Sequence, residues 1–292
     1  MAAIRPVMRQ LLKEAGQSLE FTVLEIGARP MKGNVEPCHS LVQDWPGSRL
    51  HGFELDPDLC AAMNAAAPPS LRFHARAIAK ARESRRLYIT ENSLCTSLYP
   101  PDARWPDMFQ RLDLQRLKTE ATIETIDLDS FAAEAAIGPV DFIKIDIQGA
   151  ELEAFQGGEA VLADTLMIVT EVEFVPLYVG QPLYGDVDAH LRGRHFMLHK
   201  FLGLGGRVAK PMVFEQNPTF VNQQMWSDAV YVRSLFELER LTDTQLLKLA
   251  VLAELYNSPD IGLLLVRAFD KRTGSTLAKR MVALFNTPVD AG

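Results

Sequence analysis

The stretch Val140–Gly158, VDFIKIDIQGAELEAFQGG, decides the fold. A short apolar run, Phe142, Ile143 and Ile145, ends on the acid Asp146. Gly149 follows, then a run of helix formers whose first turn carries Glu151 and Glu153. A strand that turns through glycine into a helix is the repeating unit of a sheet covered by helices. In an open sheet of this kind the carboxyl ends of the strands face the ligand crevice, which makes Asp146 a candidate for handling a ligand.

The same alternation extends in both directions. Upstream, Phe21 to Ile26 and Leu50 to Leu55 read as strands that carry Glu25 and Glu54 near their ends, and Leu71 to Ala77 reads as a third. Asp56-Pro57 suits the cap and first residue of a helix. Arg86 to Thr90 and Thr122 to Ile126 read as further strands. Downstream come Leu166 to Val172, His195 to Leu202 and Ala229 to Val232, with a glycine-rich turn at Gly203 to Gly206. The pattern predicts an α/β fold with a Rossmann-like, doubly wound sheet, mostly parallel, with one antiparallel late strand. Ile4, Val7, Met8, Leu11 and Leu12 recur at helical spacing and predict a lead-in helix. From Leu235 strand signals stop and helical spacing takes over, with Thr242 and Ser258-Pro259 as helix starts. The expected division is a domain over 1–234 and a helical appendage over 235–292. Leu263, Leu264 and Leu265 in a row imply burial on more than one side, against the main domain or in a homo-oligomer. Residues 91–119 are loop-rich, broken by Pro100, Pro101 and Pro106. Their Leu98, Tyr99, Trp105 and Phe109 suit either a lid or an excursion packed by its own aromatics.

The bulk properties narrow the partners. The 292 residues are 48% hydrophobic, enough for a sizeable core. With 37 acids against 30 Lys plus Arg the net charge is −7, which disfavours a nucleic-acid backbone or an anionic membrane as the main partner. Cys38, Cys60 and Cys95 have neither zinc spacing nor an even count, so idle thiols in a reducing cytoplasm are expected. The first residues are too polar for a secretory signal, and no window reaches the length of a membrane span.

Glu25, Glu54 and Asp146 sit at successive strand ends. A carboxylate after the second strand can accept hydrogen bonds from both ribose hydroxyls of a nucleoside ligand, which favours Glu54. Gly27 permits close approach of the backbone to a ligand. The loop Gly27 to Gly33 is not GxGxxG, the turn that a dinucleotide pyrophosphate needs. S-adenosylmethionine (SAM) carries no phosphate and does not impose that spacing.

Several segments, in order, resemble the FkbM-type methyltransferases. Glu25-Ile26-Gly27 is similar to the first SAM motif of class I methyltransferases. GFELDP (52–57), SLCTSLYP (93–100), TIDLDSF (125–131), KIDIQGAELEAFQGG (144–158), Glu171-Val172 and Trp226-Ser227-Asp228-Ala229 resemble the family's successive elements. The resemblance covers roughly residues 21–233. It departs at Gln148, where the family usually has Glu, and at Met31, where a second glycine is usual. The third strand also lacks an acid for the adenine amino group.

The resemblance implies SAM as cofactor and O-methyl transfer to a hydroxyl of a small-molecule or glycan acceptor, such as a sugar or polyketide-like scaffold. It points to Glu25, Gly27, Glu54, Ala77, Asp146 and Gln148 as cofactor-binding residues. Asp146 is the leading general base, with Glu171 second and His199 third; Asp146 could instead orient the cofactor. Asp127, Asp129, Asp146 and Glu171 offer hard oxygen ligands, but no tight acidic loop gathers them, so no metal is assigned. Acceptor specificity is expected in 91–119 and 173–192, where Tyr99, Trp105, Phe174, Tyr178 and Tyr184 would stack on a sugar or serve as core. The rival readings are a non-catalytic SAM-binding module acting through partners and, more distantly, a nicotinamide-dependent oxidoreductase.

Overall fold

A computed structural model describes residues 7–30, 36–212 and 223–286; Ile4 and Met31 lie outside them. The chain begins with α1 (Met8–Glu14), which buries Met8, Leu11 and Leu12 as the helical spacing requires. Then follow β1 (Thr22–Ile26), α2 (His39–Asp44), β2 (Arg49–Phe53), α3 (Pro57–Ala66) and β3 (Leu71–His74). Asp56 caps α3 by accepting the Asp58 and Leu59 amides, with Pro57 as the first helical residue. The middle of the chain forms β4 (Ala77–Ile78), β5 (Ser84–Thr90), α4 (Arg104–Met108), β6 (Leu117–Ile126) and α5 (Leu128–Glu134). The quoted stretch forms β7 (Phe142–Ile145) and α6 (Glu151–Gln156). Next are α7 (Glu159–Asp164), β8 (Met167–Glu173), α8 (Tyr184–Arg192), β9 (Phe196–Phe201), β10 (Gly205–Arg207) and β11 (Gln223–Arg233). Three helices close the description: α9 (Asp243–Leu255), α10 (Pro259–Thr273) and α11 (Leu277–Asn286).

The main sheet runs β10-β11-β8-β7-β1-β2-β3, with β9 also paired to β11. β3, β2, β1, β7 and β8 are parallel; β11 is antiparallel to β8, β9 and β10. From β1 the chain winds outward through β2 to β3, then restarts on the other side of β1 with β7 and β8. The strand order therefore reverses between β1 and β7, where an open α/β sheet has its ligand crevice.

Side chains alternate between two cores. Val23, Phe142, Val169, Val230 and Val232 face a layer built from α1, α2 and the C-terminal helices. Leu24, Ile26, Ile143, Ile145, Ile168 and Tyr231 face the layer of α5 to α8. Burial on both faces is why β7 and β8 read as continuous apolar runs. Thr242 opens α9 with a capping box to Gln245, as its position predicted. Leu265 is buried and Leu263 half-buried, but Leu264 is 41% exposed; three successive helical residues span too wide an arc to share one buried face. Among the described residues, no helix is long and apolar enough to cross a membrane.

Two strand expectations need correction. The third strand ends at His74, and Ala77–Ile78 instead pairs with β6 in a separate three-stranded sheet, β4-β6-β5. β6 begins at Leu117, inside the segment read as loop, because its outer half is solvent-exposed and polar (KTEATIE) and carries no apolar alternation. Gly205 and Gly206 are strand rather than turn. A Cβ on Gly205 would lie 2.2 Å from the Trp226 indole, so the ring packs on bare backbone.

Candidate functional site

A cleft of ≈ 1070 Å³ opens at the carboxyl ends of β1, β2, β7 and β8, between the main sheet and the smaller one. Glu25, Gly27, Glu54, Ala77, Asp146, Gln148 and Glu171 all line it. Gly27 follows β1 with φ +88°, and a Cβ there would sit 2.0 Å from the Asp146 carbonyl oxygen. The loops after β1 and β7 therefore touch through this glycine. Glu54 is buried; its Oε1 accepts the Asp56 amide at 2.9 Å, and its Oε2 has no hydrogen-bond partner among the described residues. Asp56 is occupied as a helix cap, and Arg29 lies between the two acids, 3.9 Å from Glu54 and 3.6 Å from Asp56. Glu25 lies 2.8 Å from His39 Nε2, and this hydrogen bond holds the imidazole pKa above its ordinary value. Ala77, buried in β4, shares the far wall with Ile78, Met63 and Phe73.

Gln148 is the hub of the deeper end. Its Nε2 donates to Asp146 Oδ1 at 2.8 Å and to Glu171 Oε2 at 2.7 Å. Tyr178 donates its hydroxyl to Gln148 Oε1 at 2.8 Å, and Ser97 donates to the Gln148 carbonyl at 2.6 Å. Burial, reinforced by the neighbouring Asp146 charge, pushes the Glu171 carboxyl well above the usual carboxylate range. Burial likewise raises Glu173, and lifts Glu151 to about 7.

The carboxylates of Asp146, Glu151 and Glu171 converge to within 4.8 Å. This is not the oxygen set read from sequence. Asp127 caps α5 and Asp129 accepts the Ala160 and Val161 amides at the start of α7. Glu151 Oε1 is already held by the Ile147 and Gly149 amides, and the Gln148 amide donor lies between the other two acids. That donor set suits hydrogen bonding better than cation ligation.

Several groups were missed in the sequence. Lys144, in the middle of the apolar run, donates to Asp228 at 2.8 Å from a buried position. Burial opposes its charge, but Asp146 and Asp228 outweigh it and the net pKa is raised. A lysine in a strand buried on both faces was the available signal. Arg207 and Trp226 line the cleft beyond Asp146. By contrast, Tyr99, Trp105, Phe174, Tyr178 and Tyr184 do not line it. Tyr178 is fully buried, Trp105 packs on Phe109 and donates to the Pro176 carbonyl, and Phe174 and Tyr184 pack with Phe201. Residues 91–119 combine both readings: Phe109 and Leu112 are packed core, whereas Ser93 to Leu98 line the cleft. His199 lies outside the cleft, bonded to Ser258 at 2.7 Å near the start of α10.

The Methyltransferase FkbM domain family matches residues 25–198, more than half of the chain. Among curated proteins, the 2-O-methyltransferase NoeI of Sinorhizobium fredii (strain NBRC 101917 / NGR234) is 40% identical over 68 residues, 23% of this chain and 28% of that protein. The match thus spans little more than a quarter of that relative's length. Among solved structures, magnesium protoporphyrin IX methyltransferase (ChlM) from Synechocystis PCC 6803 with bound SAM aligns with TM-score 0.35 and 12% identity, covering 78% of this chain and 76% of that one. Methyltransferase FkbM from Methylobacillus flagellatus KT aligns with TM-score 0.38 and 13% identity, covering 79% and 48%.

Proposed function

The chain belongs to the FkbM methyltransferase family, and from that premise we propose that it transfers a methyl group from SAM to a hydroxyl of a small molecule or glycan. The observation that carries this reading is the order of groups along one cleft, which follows the strand order β2-β1-β7-β8: Glu54 after β2, Gly27 after β1, Asp146 after β7 and Glu171 on β8. Glu54, with one carboxylate oxygen free, would accept from the ribose hydroxyls. Gly27 lets the backbone approach the cofactor, and the wall at Ala77 would hold the adenine through backbone groups and apolar contact. Glu25 and Asp146 supply negative charge opposite the cationic end of the cofactor.

When bound, SAM supplies an activated methyl on a positively charged sulfur. The protein's part is to align the acceptor oxygen with that methyl and to take the acceptor's proton. Burial makes Glu171 hold its proton more tightly than an ordinary carboxyl, which favours Asp146, bonded to the Gln148 amide, as the base. The lack of GxGxxG after β1 argues against a nicotinamide dinucleotide.

Calorimetric titration of SAM should show binding to the intact protein, with affinity at least about tenfold weaker in Glu54→Ala, because a ribose carboxylate makes charge-assisted hydrogen bonds. Folded wild-type protein that does not bind SAM would overturn the reading. Formation of S-adenosylhomocysteine with a hydroxylated acceptor separates an enzyme from a non-catalytic SAM-binding module.

A further inference from the structure

Most cations of the cleft are already engaged. Arg29 lies between Glu54 and Asp56, His39 on Glu25, and Lys144 on Asp228. Arg76 is solvent-exposed at the opposite end. Arg207 differs. Its Nη1 donates to the carbonyl of Gly206 at 2.8 Å, its Nε is buried without a hydrogen-bond partner, and it pairs with no carboxylate among the described residues.

The guanidinium is also held in place. It lies 4.7 Å from the centroid of the Trp226 ring, and that ring is fixed in turn by close packing on Gly205. The sheet places it relative to the acids: Arg207 is on β10, and Trp226 of β11 pairs with Glu173 of β8, so both stand on the β8 side of Asp146, away from Glu54 after β2.

A guanidinium charge without a carboxylate partner is costly on a cleft wall unless a ligand anion completes it. With Nη1 tied to the backbone and Nε closed off, Nη2 is the donor left to meet an anion. The surroundings favour a single negative charge over two. Arg111 adds a positive charge nearby, but the Asp146 carboxylate lines the same cleft and would repel a dianion more than a monoanion.

We propose that Arg207 and Trp226 form the acceptor subsite and that the methyl acceptor is a hydroxy acid, its carboxylate on Nη2 of Arg207 and its hydroxyl at Asp146. The assignment rests on the methyl-transfer reading above and narrows its acceptor class to acids, of which sugar acids are the simplest test.

The test is saturation-transfer NMR on protein loaded with S-adenosylhomocysteine, titrated separately with glucuronate, glucose and glucose 6-phosphate. Glucuronate should bind at least about tenfold more tightly than glucose, the loss expected when a site built for a charged partner meets an analogue lacking it. Arg207→Gln should bring glucuronate to the level of glucose, and Arg207→Lys should recover part of the difference. Calorimetric binding of S-adenosylhomocysteine checks that each variant is folded. Equal binding of glucuronate and glucose by the wild type would overturn the proposal, and so would an unchanged preference in Arg207→Gln. Tighter binding of glucose 6-phosphate than of glucuronate would also overturn it. Failure of the wild type to bind S-adenosylhomocysteine would instead strike the methyl-transfer reading, so the two failures are distinguishable.

Discussion

Gln148 has one amide that must satisfy three partners, and the arrangement fixes which way it faces. Nε2 donates to Asp146 and Glu171, which offer it acceptors, and Oε1 is left facing the Tyr178 hydroxyl, which also reaches the Cys95 carbonyl at 3.0 Å. The residue sits at φ 56°, a conformation that costs a non-glycine residue roughly 1 kcal/mol or more and needs surrounding contacts to hold it. Ser97, bonded to its carbonyl, and Tyr178 supply them. A glutamate here would replace a neutral donor with a third acid. A like charge disfavours ionisation of its neighbours, so in Gln148→Glu the base would lose its proton only at higher pH. The acid limb of the kcat–pH profile should move to higher pH by about one unit, with kcat recovered on the alkaline side of it. A limb that stays in place would remove Asp146 from the role of base. At this scale Glu54, Gly27 and Asp146 were legible because a strand end followed by a turn has a fixed direction in an open sheet. Lys144 and Arg207 were not: one is hidden inside an apolar run, and the other matters through the partner it lacks.

Between elements, the decisive contact is the crossing of the loops after β1 and β7. Gly27 has φ +88° and no room for a Cβ, since the Asp146 carbonyl would be 2.0 Å away. Gly27→Ala must either push β7's loop outward or strain its own backbone. Both the steric and the conformational penalty apply, and together they should cost about 2–4 kcal/mol. Calorimetric Tm should fall by about 5–10 °C, and SAM affinity should drop with it because the displaced loop carries Asp146. A Tm within a degree of the wild type would show that the two loops are not in tight contact. β1, β7 and β8, buried on both faces, could be read from sequence as apolar runs. The first half of β6, ahead of the Thr122 to Ile126 read as strand, escaped because it offers water a polar surface and is held mainly by backbone pairing with β5, which leaves no period in the side chains. The split after His74 escaped for a related reason: nothing in His74-Ala75-Arg76-Ala77 marks a change of sheet.

Across the whole molecule, the helices after residue 235 were legible as helices, but their place was not, because spacing gives a face and not its partner. They cover the sheet face that carries Phe142, Val169 and Val230, and are tied to it by Lys248 on Asp141 at 2.9 Å and by Glu254 on the amides of Val7 and Met8. The site at the strand ends buries acids of its own. Glu151, Glu171 and Glu173 all have carboxyls raised by burial, Glu151 from 4.5 to about 7. An acid whose folded pKa exceeds its unfolded one keeps its proton longer in the folded state, so stability falls as pH rises from the unfolded to the folded value. His39, raised by its bond to Glu25, adds to the trend, since its stabilising charge is lost as pH rises through its folded pKa. Burial lowers His51, His74, His190 and His199, which acts the other way up to about pH 6.5, so the ligand-free protein should show its net loss of Tm between about pH 6.5 and pH 8. Glu151 alone accounts for at most about 3 kcal/mol over its full rise from 4.5 to about 7. In Glu151→Gln the amide oxygen can still accept from Ile147 and Gly149 while the charge is gone, so the slope over that window should flatten. A cationic cofactor placed against these acids offsets their repulsion, so the rise in Tm on adding SAM should be larger at about pH 8 than at about pH 6.5. Calorimetric scans with and without SAM at the two pH values measure both effects, and a Tm of the ligand-free protein that rises across the window would contradict the burial of these acids as described.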